Sequence, residues 1–283
     1  MEIKRVGVVG CGTMGSGIAH ACAQSGYEVV VSEINDELLK KGLASIDAFL
    51  VKGIEKGKVT QEEKEATMAR IRGTTNMQGF RDCDLMIEAA VENMDLKKKL
   101  FTELDNICPK HAILTSNTSS LSIMDMAVAT TRPEKVLGLH FFNPAPLMRL
   151  LEIIKTIVTS DETLETAKSF GESLGKTTVV AKDSPGFIVN RLSILFQMEA
   201  VRMLESGIAT AEDIDNAITA GLGHPMGPLT LADLIGLDIV LDVTNIIYEK
   251  TKDTKFAPPN LLKTTVAAGW LGRKTKKGFY EYK

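Results

Sequence analysis

The fold is decided near the start of the chain, by the stretch Val6-Gly7-Val8-Val9-Gly10-Cys11-Gly12-Thr13-Met14-Gly15. A short β-rich apolar run ends there in three glycines with the spacing G-x-G-x-x-G, and a helical pattern follows from Ser16 to Ser25. Glycines with this spacing are weak evidence by themselves. Between a strand and a helix, however, they are typical of the phosphate-binding turn of a dinucleotide-binding fold.

Each glycine of this turn has a separate steric reason to lack a side chain. Gly10 allows the tight turn, Gly12 lets the backbone approach a diphosphate, and Gly15 lets the helix pack closely on the strand. The diphosphate would then lie at the N-terminus of the helix, where unpaired N–H groups favour negative charge. We therefore expect a dinucleotide to contact the whole turn, including Thr13 and Met14.

An acidic residue follows at the distance that such a turn requires. Glu33 lies about 20 residues further on, directly after the apolar run Glu28-Val29-Val30-Val31-Ser32. Its carboxylate would accept hydrogen bonds from the ribose hydroxyls and would repel a 2′-phosphate. The sequence therefore favours NAD over NADP. The alternative interpretation is a glutamate at a strand end that only faces solvent.

Apolar runs alternate with helical stretches through the first half of the chain. Further runs are Asp84-Leu85-Met86-Ile87 and Ile113-Leu114-Thr115-Ser116, with a helical segment, 96–107, between them. This alternation predicts a Rossmann-type α/β fold, in which a doubly wound parallel sheet is covered by helices on both faces. Residues 36–71 interrupt the alternation as an inserted, lysine-rich helical arm. The arm is either a solvated helical hairpin or a basic element that holds a phosphorylated ligand.

The pattern changes after residue 181, and only helical segments follow. The run Asp183-Ser184-Pro185-Gly186 is turn chemistry that can open a helix, so a domain boundary is expected there. Residues 1–184 would form an NAD-binding domain and residues 185–283 an all-helical C-terminal domain. The expected helices are 187–206, 211–220, 228–251 and 259–269. The first is apolar on most faces, which indicates deep burial or contact with a second subunit.

Composition and charge exclude several classes of protein. The chain has 283 residues and a net charge of −3, which argues against a protein that binds duplex nucleic acid. No apolar run reaches the ~20 residues that span a bilayer, and we expect no secretory or transit signal from the pattern of the first residues. The four cysteines form no CxxC pair and are typical of reduced thiols. We expect a cytoplasmic protein with no metal ligand set and no membrane or nucleic-acid partner.

Four histidines are candidates for the proton acceptor of a hydride-transfer enzyme. His20 falls inside the first helix and is expected to be a packing residue. His111 lies in a polar turn, and His224 lies in the all-helical region. His140 ends the apolar run 136–139, and ligands of open α/β sheets bind beyond the carboxyl ends of strands. His140 is therefore the best-placed general base, because free imidazole titrates near neutral pH.

A carboxylate partner for this histidine is found in the next apolar run, 149–154. If that run folds back antiparallel around Pro146, the register places Glu152 opposite His140. A buried carboxylate in that position would orient the ring and stabilise the imidazolium. The alternatives are a histidine satisfied within the core and an edge-strand glutamate that faces water.

Several motifs together resemble the L-3-hydroxyacyl-CoA dehydrogenase family, most closely its bacterial 3-hydroxybutyryl-CoA branch. They are GCGTMG (10–15), IEAAVEN (87–93), SNTSSL (116–121), LHFFNP (139–144), KDSPGFIVNR (182–191), HPMGPLTLAD (224–233) and GFYEYK (278–283). The resemblance covers essentially the whole chain. It implies interconversion of (S)-3-hydroxybutyryl-CoA and acetoacetyl-CoA with NAD, and a homodimer formed through the C-terminal domain.

The resemblance also implies roles for individual residues. His140 would be the catalytic base with Glu152 as its partner, and the family usually has aspartate where this chain has Glu33. The remaining roles are substrate contacts for Ser119 and Asn190, cofactor contacts for Ser119, Glu92, Lys97, Asn143 and Lys274, and a contact to the CoA phosphates for Lys56 or, alternatively, Lys52. From chemistry alone, Ser119 could belong to a polar strand-end turn and Asn190 could cap a helix.

Other functions remain open at this point. A hydroxy-acid dehydrogenase of the L-gulonate type would share most of these features but would not need the lysine-rich arm. A non-catalytic, crystallin-like NAD-binding protein would keep the glycines without needing His140, Glu152 and Asn190 together. A decarboxylating β-hydroxyacid dehydrogenase is disfavoured, because segment 187–206 contains no lysine to serve as its catalytic group.

Overall fold

The computed structural model describes residues 2–283, which separate into two compact units, one ending at Ser184 and the other comprising Pro185–Lys283. The strands of the first unit are β1 (Arg5–Val9), β2 (Glu28–Ser32), β3 (Ile71–Thr74), β4 (Leu85–Glu88), β5 (Ile113–Ser116), β6 (Val136–Phe141), β7 (Leu150–Lys155) and β8 (Thr177–Lys182). Its helices are α1 (Thr13–Gln24), α2 (Asp36–Glu55), α3 (Gln61–Ala69), α4 (Met94–Ile107), α5 (Ile123–Ala127) and α6 (Asp161–Ser173).

The strands form one sheet in the order β3-β2-β1-β4-β5-β6-β7-β8. Neighbours pair in parallel, except for β6 and β7, which pair antiparallel. The predicted doubly wound Rossmann-type fold is therefore confirmed. The chain winds outward in both directions from β1 and β4, and such a switch in strand order opens a crevice beyond the carboxyl ends of the strands.

The central strands are buried because both faces of the sheet are covered. Every residue of β4, β5 and β6 is buried, as expected for parallel strands between two helical layers. The antiparallel return from β6 to β7 has the predicted register, in which His140 pairs with Glu152. The pairing of β6 with β7 is therefore enough to bring His140 and Glu152 together.

The lysine-rich arm consists of α2 and α3, as predicted. Leu39, Gly42, Ile46 and Leu50 are the buried residues of α2 and repeat at helical spacing along one face. A Cβ atom at Gly42 would lie 2.2 Å from the carbonyl oxygen of Cys11. Glycine at this position therefore allows α2 to pack directly against the glycine turn.

The second unit consists of the helices α7 (Val189–Glu205), α8 (Ala211–Leu222), α9 (Pro228–Ile235), α10 (Leu237–Thr251) and α11 (Asn260–Ala267), with short 3-10 turns. The all-helical prediction is confirmed. The prediction of one helix over 228–251 is wrong, because the chain turns at Gly236, whose φ of 108° does not fit a helix. No helix among residues 2–283 combines the length and the apolarity needed to span a membrane.

The end of the chain is held by Asp233, which is 1% exposed. Its carboxylate accepts hydrogen bonds from the backbone N–H groups of Phe279 and Tyr280, both at 3.0 Å, and from the Tyr282 hydroxyl at 2.9 Å. These contacts explain how the Asp233 carboxylate can be buried, since a buried carboxylate requires several donors. The final segment therefore belongs to the folded unit.

Candidate active site

His140 and Glu152 form a buried pair at the carboxyl end of β6. The Nδ1 atom of His140 lies 2.6 Å from Oε2 of Glu152, and the two residues are 5% and 0% exposed. A carboxylate can only accept a hydrogen bond, so Nδ1 carries the proton and donates it. We therefore expect Nε2 to be the ring nitrogen that exchanges a proton with a substrate. Water competes weakly for a contact buried to this extent, so the ring orientation is well defined.

Two neighbours fix the strand end that carries this histidine. The side-chain oxygen of Asn117 accepts a hydrogen bond of 2.9 Å from the backbone N–H of Phe141, which ties the end of β5 to β6. The ring of Phe142 packs against the imidazole with a centroid distance of 4.5 Å. Asn117 was not singled out from the sequence, although it belongs to the SNTSSL motif.

The glycine turn has the steric features that a dinucleotide site requires. Gly10 has a φ of 93°, in the region that favours glycine. A Cβ atom at Gly15 would lie 1.9 Å from the carbonyl oxygen of Gly10, whereas the space within 4 Å of the corresponding position at Gly12 is open. Gly12 and Thr13 are exposed, and Met14 is half-buried. The turn therefore leaves room for a ligand directly above Gly12.

Helix α1 offers its first N–H groups to an anion. Its N-cap is Gly12, which supplies no side-chain cap, and its first turn contains no acidic residue. By contrast, α2 and α4 are capped by the side chains of Asn35 and Asn93. Uncapped N–H groups at the positive end of a helix suit the diphosphate of NAD. The residues present therefore fit the cofactor.

Glu33 lies beside the same turn, as a ribose-binding residue should. Its Oε2 atom accepts a hydrogen bond of 2.8 Å from the backbone N–H of Cys11. The residue is half-buried, and its Oε1 atom accepts a hydrogen bond of 2.9 Å from the backbone N–H of Ile34. Burial, with a smaller contribution from the charge of Glu33, raises the pKa of Cys11 to about 11. The thiol therefore stays protonated at neutral pH and is not a nucleophile.

A second polar cluster lies where β4 and β5 end, and the sequence analysis missed its centre. Glu88 ends β4 and is 0% exposed. Its carboxylate accepts hydrogen bonds from the Lys97 ammonium at 2.6 Å, the Ser116 hydroxyl at 2.6 Å and the backbone N–H of Ala90 at 2.7 Å. A carboxylate at the carboxyl end of a buried strand is the signal that could have found it.

Glu92 connects this cluster to the loop that contains Ser119. Lys97 Nζ lies 3.4 Å from Glu92 Oε2, and the hydroxyls of Thr118 and Ser120 both donate to Glu92 Oε1. These contacts hold the residues on either side of Ser119. The side chain of Lys97 is 1% exposed, and its ammonium contacts the carboxylates of Glu88 and Glu92. A direct contact between Lys97 and the cofactor stays a prediction.

The other expected site residues lie at several places in the two units. In the first unit, Asn143 is exposed beyond the end of β6, Ser119 is half-buried, and Lys52 and Lys56 are exposed at the end of α2. In the second unit, Asn190 lies in the first turn of α7, and Lys274 Nζ lies 2.5 Å from both carboxylate oxygens of Asp238. The roles of these residues stay predictions.

Comparison with known protein families covers both units. Residues 5–184 match the family model described as 3-hydroxyacyl-CoA dehydrogenase, NAD binding domain, and residues 186–282 match the model for the C-terminal domain of the same family. Together the two models account for nearly the whole chain.

Individual relatives match along their full length as well. A 3-hydroxybutyryl-CoA dehydrogenase of Bradyrhizobium diazoefficiens is 46% identical over 281 residues, which cover 99% of this chain and 96% of that protein. The crystal structure of (S)-3-hydroxybutyryl-CoA dehydrogenase PaaH1 from Ralstonia eutropha is similar with a TM-score of 0.96, 44% identity and full coverage of both chains. The crystal structure of FadB2 from Mycobacterium tuberculosis has a TM-score of 0.97 at 44% identity, again with full coverage of both chains.

Proposed function

Because the chain belongs to the 3-hydroxyacyl-CoA dehydrogenase family, we propose that it interconverts (S)-3-hydroxybutyryl-CoA and acetoacetyl-CoA with NAD as the redox partner. The observation that carries this function is the buried contact of 2.6 Å between His140 and Glu152 at the carboxyl edge of the sheet. A secondary alcohol is oxidised by losing a hydride and a proton. The chain itself must supply a group that takes the proton.

His140 is that group. Its Nδ1–H is held by Glu152, so Nε2 accepts the proton of the 3-hydroxyl group in oxidation and returns it in reduction. The ring becomes cationic when it accepts the proton, and the adjacent carboxylate stabilises that charge. The 0% exposure of Glu152 strengthens this effect, because charges attract more strongly where water is excluded.

The glycine turn, the first turn of α1 and Glu33 would hold the dinucleotide. The nicotinamide ring of NAD supplies the hydride acceptor in oxidation and the hydride donor in reduction. Ser119 and Asn190 are proposed to hydrogen-bond the 3-oxygen and the thioester region of the substrate. Contacts from Thr118 and Ser120 to Glu92 support this role for Ser119, because they restrain the loop on both sides of it.

The proposed function is tested by following NADH oxidation with two substrates. We expect rapid turnover of acetoacetyl-CoA and little or none of free acetoacetate at the same concentration. The free acid lacks the CoA part, whose binding energy helps to position the reacting carbon. Comparable rates with free acetoacetate would instead support the hydroxy-acid dehydrogenase, and no turnover of either compound would support a non-catalytic protein.

Glu33 is expected to set the choice of cofactor. The wild-type protein should use NADH with a kcat/KM at least about tenfold above that for NADPH, because the carboxylate repels a 2′-phosphate. Glu33→Gln should bring the kcat/KM values for NADH and NADPH closer together. The amide oxygen can still accept a hydrogen bond from the Cys11 N–H but carries no charge that would repel the 2′-phosphate. Steady-state kinetics with both cofactors measure this. An unchanged preference in the variant would remove Glu33 from cofactor selection.

A homodimer through the second unit is also proposed. Leu192 on α7 is 64% exposed, and Leu234, Ile235 and Ile239 on α9 and α10 are 40–48% exposed. Exposed apolar side chains on neighbouring elements are typical of an interface. Ultracentrifugation should give about twice the chain mass of 30.7 kDa.

The dimer proposal has a matched pair of variants. Leu192→Glu should shift the equilibrium towards single chains, because a charge would be buried in the interface. Ile157→Glu, at a position in the first unit that is 94% exposed, should not. A wild-type protein that sediments as one chain at micromolar concentration would refute the proposal.

The cytoplasmic location also stays a proposal, supported by four buried cysteines that are free thiols.

A further inference from the structure

The loop that contains Ser119 comprises residues 117–122, which join β5 to α5 without regular secondary structure. A side chain on a loop is positioned only as well as the loop itself is held. Asn117 ties the start of the loop to β6, and Glu92 holds the residues on either side of Ser119. The end of the loop next to α5 needs an anchor of its own, and a residue far along the chain provides it.

Asp183, directly after β8, is this anchor. Its Oδ2 atom accepts hydrogen bonds from the backbone N–H of Met124 at 2.8 Å and from the Ser122 hydroxyl at 3.2 Å. Its own backbone N–H donates to the carbonyl oxygen of Lys155 at 2.9 Å, which continues the pairing of β8 with β7. The carboxylate is therefore held by the sheet while it holds the end of the loop.

The contact completes the N-terminus of α5. The first N–H groups of a helix find no acceptor within the helix and need one from elsewhere. The N-cap Ser122 accepts a hydrogen bond of 3.2 Å from the backbone N–H of Asp125. Asp183 accepts from the backbone N–H of Met124, and its charge makes this the stronger kind of hydrogen bond. Together the two side chains determine where the loop ends and the helix begins.

The rest of α5 is held by packing. Ile123, Met126 and Ala127 are 0% exposed. A Cβ atom at Gly138 of β6 would lie 3.0 Å from the Cδ1 atom of Ile123, so α5 packs closely on the strand that carries His140. The body of α5 is therefore fixed relative to His140, and the contacts of its first turn fix the end of the loop relative to the same residue.

We propose that Asp183 is a positioning residue that holds Ser119 at the distance the substrate requires, an inference that rests on the proposed function. Ser119 lies three residues before the N-cap Ser122, so a shift of the first turn of α5 moves the loop. A displacement of about 1 Å at a group that contacts the reacting atoms can lower the rate about 10²-fold. Asp183 acts through the loop and takes no part in the proton transfer.

Two variants of Asp183 test the contact. Asp183→Ala removes the acceptor, whereas Asp183→Asn keeps a side-chain oxygen that can accept from the Met124 N–H. Ser122→Ala removes the contact from the side of the loop. The matched control is Ser160→Ala, which removes the N-cap of α6 in the same unit. The kcat and KM values for acetoacetyl-CoA and the unfolding temperature are measured for every protein.

We expect Asp183→Ala to lower kcat for acetoacetyl-CoA by about ten- to a hundredfold, and Ser122→Ala to lower it by a smaller factor. The KM value should change less, because a hydrogen bond to the 3-oxygen is strongest when that oxygen gains negative charge. Asp183→Asn should stay within about threefold of the wild-type kcat, since the amide restores the acceptor. Ser160→Ala should lower the unfolding temperature, as loss of a cap does, but keep kcat within about twofold.

The decisive measurement combines Asp183→Ala with Ser119→Ala. If Asp183 acts by positioning Ser119, its loss matters little once the Ser119 hydroxyl is absent, so the double variant should lie within about twofold of Ser119→Ala alone. A purely structural role would give independent losses that multiply, and that result would overturn the inference. Wild-type kinetics of Asp183→Ala or of Ser119→Ala would overturn it as well, as would an equal loss of kcat in Ser160→Ala.

Ser122→Ala takes the place of Asp183→Ala in the same comparison if Asp183→Ala does not fold, and the same outcomes then decide. Failure of the proposed function looks different, since the wild-type protein would then not reduce acetoacetyl-CoA at all.

Discussion

Replacing His140 by alanine is expected to lower kcat for acetoacetyl-CoA reduction by about 10²–10⁴-fold, the range that a positioned general acid–base group contributes. The cause is the loss of Nε2, which exchanges the proton with the 3-oxygen. The dissociation constant of NADH should change little, because the glycine turn between β1 and α1 and Glu33 after β2 are separated from His140 in the sheet by β4 and β5. Steady-state kinetics and NADH fluorescence titration measure the two effects.

A matched variant distinguishes chemistry from loss of structure. His140→Ala leaves the Glu152 carboxylate buried without its donor, which also costs stability. His140→Gln keeps a side-chain N–H that can donate to Glu152 but cannot take up a proton at neutral pH. Both variants should therefore lose kcat to a similar extent, while His140→Gln unfolds closer to wild type. Near-normal turnover in a folded His140→Gln protein would remove His140 from the mechanism.

Replacing Lys97 by methionine is expected to produce the largest loss of stability. The ammonium of Lys97 and the carboxylate of Glu88 are 2.6 Å apart, and their side chains are 1% and 0% exposed. Removing one partner leaves a buried charge uncompensated, which costs about 3–5 kcal/mol in the free energy of unfolding. Urea unfolding followed by circular dichroism measures the loss. Lys99→Met, on the exposed side of the same helix, should cost less than about 0.5 kcal/mol.

The double variant Glu88→Gln with Lys97→Met tests the origin of this effect. Once Glu88 is neutral, methionine next to it no longer leaves a charge unpaired, so the double variant should be more stable than Lys97→Met alone. Activity should stay low even so, because Glu92 and the loop around Ser119 lose their anchor. Additive losses of stability in the double variant would contradict the interpretation of Glu88 and Lys97 as one unit.

The sequence predicted those parts of the site that depend on local rules. The glycine turn follows from steric limits at Gly10 and Gly15 that the chain cannot satisfy otherwise. The pairing of His140 with Glu152 follows from the fixed two-residue period of strands, because the position of the turn determines which residues lie opposite each other. Local pattern and tertiary structure agree at these positions.

Other parts of the site depend on contacts between distant segments and were not predicted. Glu88 looks like an ordinary acidic residue after an apolar run, and its partner Lys97 comes from the next helix along the chain. The break at Gly236 was missed because a single glycine within a helical pattern is often tolerated. His20 was expected to be a packing residue, and its unpartnered nitrogen becomes evident only once α2 and the segment after β6 surround it.

The central claim is that a buried imidazole–carboxylate pair removes the proton while a 3-hydroxyacyl thioester is oxidised. The most direct test is the formation of NADH from NAD and (S)-3-hydroxybutyryl-CoA by the wild-type protein and by His140→Gln, compared at equal folded concentration. We predict steady NADH formation by the wild type and a rate at least about 10²-fold lower in the variant. Equal rates in the two proteins, or no NADH from the wild type, would contradict the claim.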